Sequence, residues 1–427
     1  MSLIYKGARI IDPGSGFDGQ ADLLVENGKI ARRGTADESW QAAGEEDVSG
    51  LLIFPGLVDL HTHLREPGGE HRETIATGMA AAMRGGYTTI FAMPNTDPPV
   101  DNPPLVEFVR AQARKAGGIT VEPIAAITKG RKGQELSPMG QLAKAGVKIL
   151  SDDGSTVANA RLLRLAMQYA AMFQLVISEH CEDANLAQGG AMNEGVTATK
   201  LGLSPLPALA EEVIVARDLL LARETGCRLH LAHLSTKGSV ELLRRAKERG
   251  VKVTAEVTPQ HLLLTEEAVR GYDPNMKVNP PLRSEQDRQA LLAALADGTI
   301  DCIATDHAPW ARQEKEVEFD AAPCGMVGLE TALSAVWTKL VETGQISAAR
   351  AIEAMSAKPC QIAGIPGGRL DEGAKADFVI FDPKCSWQVD PEKFASKGKN
   401  TPFSGWELQG RVIRTAAAGE VVYRLEN

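Results

Sequence analysis

Eight short apolar runs recur along the middle of this chain, at residues 57–60, 88–92, 120–125, 147–150, 175–178, 228–232, 252–256 and 302–305. Between them lie stretches such as ETIATGMAAAMRGG, ARLLRLAMQYAAM, LPALAEEVIVARDLLLARETG and SVELLRRAKERG, which show helical spacing, with glycine as a stop. Strand and helix in strict alternation predict a parallel α/β sheet. Eight such units over about 300 residues fit a closed (β/α)8 barrel of the TIM type. An open doubly wound sheet is the alternative. It lacks support from a nucleotide fingerprint, because Gly68 and Gly69 follow Pro67 and do not have GxGxxG spacing.

The two ends have a different texture. LIYKGARII, DPGSG and ADLLVENGKIARRG read as short strands and tight turns, with Asn27-Gly28 as a hairpin turn. GGRLDEGAKADFVIFDP and VIRTAAAGEVVYRLEN read the same way. Neither end has the apolar surface to stand alone, so the expectation is one small β-sandwich-like domain built from residues 1–55 and 361–427, with the barrel at 56–360.

Polar residues follow the ends of the expected strands. His61 and His63 come after LVDL, Asn95 after TTIFAMP, Asp152 and Asp153 after VKIL, His180 after LVIS, His233 after RLHLA, and Asp306 after DCIAT. In a barrel these loops open on one face, where such folds place their active sites. The chain has only 8 histidines, and four of them fall here. His61 and His63, two apart on an extended strand end, turn both rings to one side and make half of a tetrahedral metal site. The other strand-end groups are too many for one four-coordinate ion and about right for two with a shared bridge. Nitrogen and oxygen donors without thiolates suit Zn²⁺, with Mn²⁺ or Co²⁺ as alternatives. Such a centre lowers the pKa of bound water and polarises a carbonyl. Asp306 is the candidate acid/base, taking a proton during attack and returning it to a leaving nitrogen. The chemistry expected is amide-type hydrolysis without a covalent intermediate, since no GxSxG elbow is present. Arg65 is held in the same loop as His63, where a guanidinium can grip a substrate carboxylate. A salt bridge to Glu66 or Glu70 is the plainer alternative. Asn95 and Asn279 could add amide contacts or stabilise turns.

Composition narrows the partners. With 46 basic and 55 acidic residues, the formal charge of -9 gives no general attraction to nucleic acid or anionic membrane. MSLIYKGARIIDP lacks the basic flank and apolar stretch of a signal peptide, and no run approaches the roughly 18 apolar residues of a spanning helix. The 6 cysteines form no CxxC pair. A reducing, cytoplasmic location is expected.

Longer motifs identify a family. VDLHTHLREPGGEHRETI resembles the first metal-binding segment of the amidohydrolase superfamily in its dihydroorotase form. AMPNTDPP, SDDG, Glu179-His180, HLSTKG, KVNPPLR, ATDHAP, GMVGLET and the terminal GRLDEGAKADFVIFDP extend the resemblance, which is greatest to the long bacterial type-I dihydroorotases. The resemblance implies two zinc ions, His61, His63 and Asp306 on one, His180 and His233 on the other, and Asp153 as the bridging carboxylate. Lys148, as a carbamylated lysine, is the less favoured bridge. The resemblance also implies that Arg65 and Asn95 hold the substrate carboxylate, with Asn279 near the ring, and that Asp306 is the catalytic residue. The implied reaction is the reversible interconversion of N-carbamoyl-L-aspartate and L-dihydroorotate in pyrimidine biosynthesis, by a homodimer. An association with aspartate carbamoyltransferase is a further expectation.

The sequence departs from the family pattern at three places. TDHAPH appears as TDHAPWARQEK, so Trp310 stands where a histidine contacts substrate. APFG appears as APCG, so Cys324, beside Gly325, replaces a phenylalanine that shapes the ring pocket. Bulk removed at Cys324 and added at Trp310 would compensate if the two meet. TPHH appears as TPQH, and His261 is expected to be structural. Trp310 and Cys324 keep an allantoinase or a dihydropyrimidinase/hydantoinase as the alternative activity. A third alternative is a structural or activation-dependent partner of the transcarbamoylase. The loop at 310–315 is a candidate lid.

Overall fold

The computed structural model describes residues 2–426. Eight strands, Leu57–Thr62, Tyr87–Ala92, Thr120–Pro123, Ile149–Ser151, Val176–Glu179, Arg228–Leu231, Val253–Val257 and Cys302–Ile303, lie at the expected places. They pair in parallel and in chain order, three in one ladder and five in another. Single parallel bridges, Ala125 to Leu150 and Thr62 to His307, join the ladders at both seams. The His63 N–H donates to the His307 carbonyl at 2.8 Å beside the second seam. The eight strands therefore form a ring, and the open-sheet alternative falls away.

Helices Ile75–Arg84, Pro103–Ala116, Ala160–Met172, Leu209–Thr225, Lys237–Glu248 and Glu285–Asp297 pack outside the ring. Thr74, Asn102, Asn159, Thr236 and Ser284 begin five of them by accepting a first-turn N–H, which satisfies donors the helix leaves open. Ala160–Met172 shows how the sequence decides the packing. Leu163, Ala166, Met167 and Ala170 form a stripe at three- and four-residue spacing, and all are buried. Each large member contributes about 1.5–3 kcal/mol by leaving water.

The ends of the chain meet in one sheet. Ser2–Asp12, Phe17–Glu26, Lys29–Gly34 and Leu52–Pro55 join Phe378–Gln388, Glu407–Ala417 and Glu420–Arg424 in a hydrogen-bonded path of seven strands, and an eighth, Glu45–Asp47, pairs with Ser2–Asp12 off that path. The Asn27-Gly28 hairpin turn is present, with φ of 50° and 77°, as a type I′ turn requires. Phe378 and Ile380 pack with Tyr5, Ile10, Leu23 and Ile53 in a core belonging to this sheet alone. The alternate residues Val379 and Phe381 join the larger barrel core with Phe54 and Trp337. Two covered faces explain why 378–381 is an unbroken apolar run. Helix Ala357–Ala363 runs across the junction expected at 360/361. Its Cys360 and Ile362 pack under Val58, Leu60, Phe91, Ile149 and Val176. Arg228, at the start of a strand, donates to the Gln361 and Ile362 carbonyls. That end of the barrel is closed, and the strand C-termini remain for chemistry. No helix among the described residues is long and apolar enough to cross a membrane.

Candidate functional site

At the C-terminal ends of the barrel strands a cavity of about 270 Å³ is lined by His63, Arg65, Asn95, Asp153, Gly154, His180, His233, Asn279, Asp306, Ala308, Trp310, Cys324 and Gly325. His61 lies buried beside it. Loops far apart in sequence thus bring every candidate site residue to one place. Three of them hold a left-handed backbone without being glycine: Arg65 at φ 60°, His233 at 30° and Asp306 at 49°. Such conformations each cost roughly 1–3 kcal/mol and cluster where function demands a particular aim.

Asp153 is the hub. Its Oδ1 lies 3.3 Å from His61 Nε2, 3.6 Å from His233 Nε2 and 3.8 Å from His180 Nδ1. Its Oδ2 lies 3.5 Å from His63 Nε2. Asp306 Oδ1 stands 3.0 Å from His63 Nε2 and 3.5 Å from His61 Nε2. His180 Nδ1 and His233 Nε2 are 3.0 Å apart. Burial opposes the charge on Asp153, yet the imidazoles, His61 above all, hold its carboxyl well below the usual range. Asp306 is also lowered, against its burial, chiefly by the hydrogen bond to His63. Burial pulls the His63 and His180 imidazoles down.

The donor set fits divalent metal. His61, His63 and Asp306, and again His61, Asp153 and His233, each bring one ligand atom within 4.8 Å of one another. His61 Nε2 and Asp153 Oδ1 are buried without a hydrogen-bond partner. Burying a polar atom unpaired costs about 1–3 kcal/mol, and more for a charged group. A cation at this point satisfies both.

Two residues that sequence reasoning missed orient this set. His61 Nδ1 is 2.7 Å from Glu256 Oε1, which leaves Nε2 free to face Asp153. Glu256 Oε2 is 3.0 Å from His230 Nε2, and His230 Nδ1 is 2.9 Å from Thr254 Oγ1. Glu256 and His230 are thus satisfied by each other and their neighbours, unlike the orphaned pair above them. An acidic residue closing the apolar run KVTAEV was the available signal. Outer partners of this kind typically carry about 10–100-fold in metal affinity or activity. Glu256→Gln is expected to lose metal within that range, read as residual metal after dialysis. Full retention of metal and activity would remove Glu256 from this role.

The remaining candidates have specific contacts. Asn95 accepts from His63 Nδ1 at 2.9 Å, so its Oδ1 is committed and its Nδ2 is the group left for substrate. Arg65 donates from Nε to the Pro309 carbonyl at 3.2 Å. Glu66 and Glu70, its alternative partners, instead accept the backbone N–H groups of Ile75 and Gly68. Asn279 Oδ1 is buried without a partner. Trp310 donates from Nε1 to the Cys324 carbonyl at 2.8 Å, so the two departures from the family pattern meet. Gly325, at φ 127°, leaves no room for a Cβ, which would stand 2.8 Å from Ala308 Cβ and 3.1 Å from the Trp310 indole nitrogen. His261 is 2.7 Å from Thr258 Oγ1 and 2.9 Å from the Pro280 carbonyl, both ring nitrogens being engaged away from the metal ligands.

Lys148 is a correction. It is exposed and precedes strand Ile149–Ser151, whereas Asp153 follows that strand. Lys148 thus stands exposed at the N-terminal end of that strand while Asp153 lies buried past its C-terminal end among the imidazoles, so Lys148 is not placed to bridge metals beside Asp153.

A family model described as Dihydro-orotase-like matches residues 50–239. A dihydroorotase of Pelotomaculum thermopropionicum is 54% identical over 422 residues, spanning 99% of this chain and 98% of that one. A dihydroorotase of Syntrophus aciditrophicus is 48% identical over 428 residues, spanning 99% and 100%. Among solved structures, an L-hydantoinase (dihydropyrimidinase) from Arthrobacter aurescens aligns with a TM-score of 0.88 at 28% identity, over 99% of this chain and 96% of that one. A dihydropyrimidinase from Brevibacillus agri NCHU1002 shares the fold, with a TM-score of 0.88 at 23% identity over 99% and 95%.

Proposed function

This chain belongs to the dihydroorotase family of the amidohydrolase superfamily, and from that membership we propose how its own residues perform the reaction. It is a cyclic amide hydrolase, a dihydroorotase, interconverting N-carbamoyl-L-aspartate and L-dihydroorotate. The observation that carries the reading of the site is the presence, around one cavity, of a nitrogen–oxygen ligand set and the Arg65 guanidinium. The ligand set suits a carbonyl-polarising metal, and the guanidinium suits a carboxylate.

In this reading His61, His63 and Asp306 would hold one zinc ion and His180 and His233 a second, with the Asp153 carboxylate, which lies within 3.8 Å of all four histidines, as their shared ligand. The metals, when bound, polarise the ring carbonyl and lower the pKa of water. Arg65 and the Asn95 Nδ2 group hold the substrate carboxylate. Asn279 Oδ1, an unpaired buried acceptor, takes a ring N–H. Asp306 accepts a proton from the attacking water and delivers it to the ring nitrogen as the amide bond breaks. The ring then opens with its former carbonyl as a carboxylate, the second proton of the water passing to solvent. In the reverse direction the same carboxyl group takes the ureido proton. Trp310, Cys324 and Gly325 form the wall of the ring pocket, which the indole closes without titrating near neutrality. Two domains, a barrel and a β-domain assembled from both termini, a homodimeric state and a cytoplasmic location belong to the same proposal.

The test is an assay of metal-replete protein with dihydroorotate, dihydrouracil and allantoin, with and without aspartate carbamoyltransferase, alongside metal analysis and solution mass. Two zinc ions per chain, a dimer mass and preferred turnover of dihydroorotate are expected. Turnover that needs the transcarbamoylase would make the chain activation-dependent. The absence of dihydroorotate turnover under both conditions would defeat the assignment. Preferred turnover of the neutral ring would favour the hydantoinase reading.

A further inference from the structure

The segment that follows Asp306 folds back over the cavity and is tied down by an arginine outside the site described above. Arg72 forks onto Glu314, with Nε at 3.0 and 3.1 Å from the two carboxylate oxygens and NH2 at 2.6 Å from Oε1. Glu314 Oε2 also accepts the Ala311 N–H at 3.0 Å. The Arg72 guanidinium lies 4.1 Å from the centroid of the Trp310 ring. The Arg65 guanidinium lies 5.0 Å from the same centroid and is tied through Nε to Pro309, the residue before Trp310. Two cations therefore share one indole, which is itself fixed by its backbone N–H to Asn400 Oδ1 at 3.0 Å and by its Nε1 to Cys324.

We propose that Arg72 is a positioning residue for the substrate anion: through Trp310 and Glu314 it fixes the plane of Arg65, and so selects ring substrates that carry a carboxylate. The inference rests on the dihydroorotase reading for the identity of that anion. The physical reasons are three. First, a guanidinium binds a carboxylate through two parallel hydrogen bonds only when its plane is held, and a stacked ring holds a plane where a single hydrogen bond does not. Second, Glu314 neutralises Arg72, so the positive charge of Arg65 is left for substrate. Third, the same fork closes the 306–316 segment through Glu314 and Ala311, which makes the wall of the pocket and the orientation of the anion receptor one unit. Sequence separation hides this unit, since Arg72 and Glu314 are 242 residues apart.

The experiment compares wild type with Arg72→Met, Arg72→Lys and Trp310→Phe. It reads kcat and KM for L-dihydroorotate, the inhibition constant of orotate, a planar ring with the same carboxylate, and the melting temperature. Arg72→Met is expected to raise KM and the orotate constant together by about tenfold, with kcat within about threefold of wild type. Arg72→Lys keeps the charge but not the fork or the planar stack, and should fall between the two. Trp310→Phe keeps a ring face and should lose less than Arg72→Met. A fall in kcat at unchanged KM, or an orotate constant that does not move in a variant that melts normally, overturns the proposal. Wild-type protein that binds orotate but turns over no dihydroorotate would fail the reaction assignment, while orotate binding to the variants still decides the role of Arg72.

Discussion

Asp306→Asn is expected to lower kcat for dihydroorotate about a thousandfold or more while leaving the fold intact. The reasoning starts at the backbone. Asp306 holds φ at 49°, a conformation that asparagine tolerates as readily as aspartate. The amide has nearly the same shape, so no cavity opens. What it loses is proton transfer, since an amide neither takes a proton from water nor returns one to nitrogen. General acid–base catalysis alone contributes about 10²–10⁴-fold, and under the proposed ligand set the exchange of an anionic metal ligand for a neutral one adds to the loss. Steady-state kinetics, thermal melting and metal content should be read together. A kcat within tenfold of wild type, at full metal content, would show that another group carries the proton.

Asp153→Asn is the second large effect. One carboxylate here faces four imidazoles within 3.8 Å. The variant keeps the volume but removes the negative charge that two adjacent cations need between them. Metal content is expected to fall from the proposed two ions per chain to one or none, and activity by about a thousandfold or more, combining lost metal with lost polarisation. Retention of both ions would show that the histidines and Asp306 suffice, and would move the bridging role away from Asp153.

What could be read from the sequence and what could not divide along physical lines. The gathering of His61, His63, His180, His233, Asp153 and Asp306 is legible because each stands at or within three residues of the C-terminal end of a barrel strand, and a parallel barrel brings all such ends to one face. The β-domain was legible because turn residues punctuate short alternating runs at both ends of the chain. Glu256 and His230 were not singled out, because their role exists only once two neighbouring strands are in register and His61 leans against them. Lys148 is a bridge candidate only through the resemblance to relatives that use a carbamylated lysine at the fourth strand, and the strand Ile149–Ser151 separates it from Asp153. Arg72 gives no local signal at all, since its partners Trp310 and Glu314 are distant in sequence and meet it only where the first and eighth strands close the ring. The pairing of Trp310 with Cys324 was posed by sequence as a matter of bulk, and the contact is a hydrogen bond to a backbone carbonyl.

The sheet shared by both termini bears on how the chain is made. Leu52–Pro55 leaves the ribosome more than 300 residues ahead of its neighbour on one side, Phe378–Gln388. Until then the nascent chain carries an unpaired strand edge, the kind of surface that invites wrong pairing. The apolar side chains of Phe54 and Trp337 also wait for Phe381. Synthesis of Phe378–Gln388 is thus a folding checkpoint, and chains released before it are the ones that chaperones and proteases should meet.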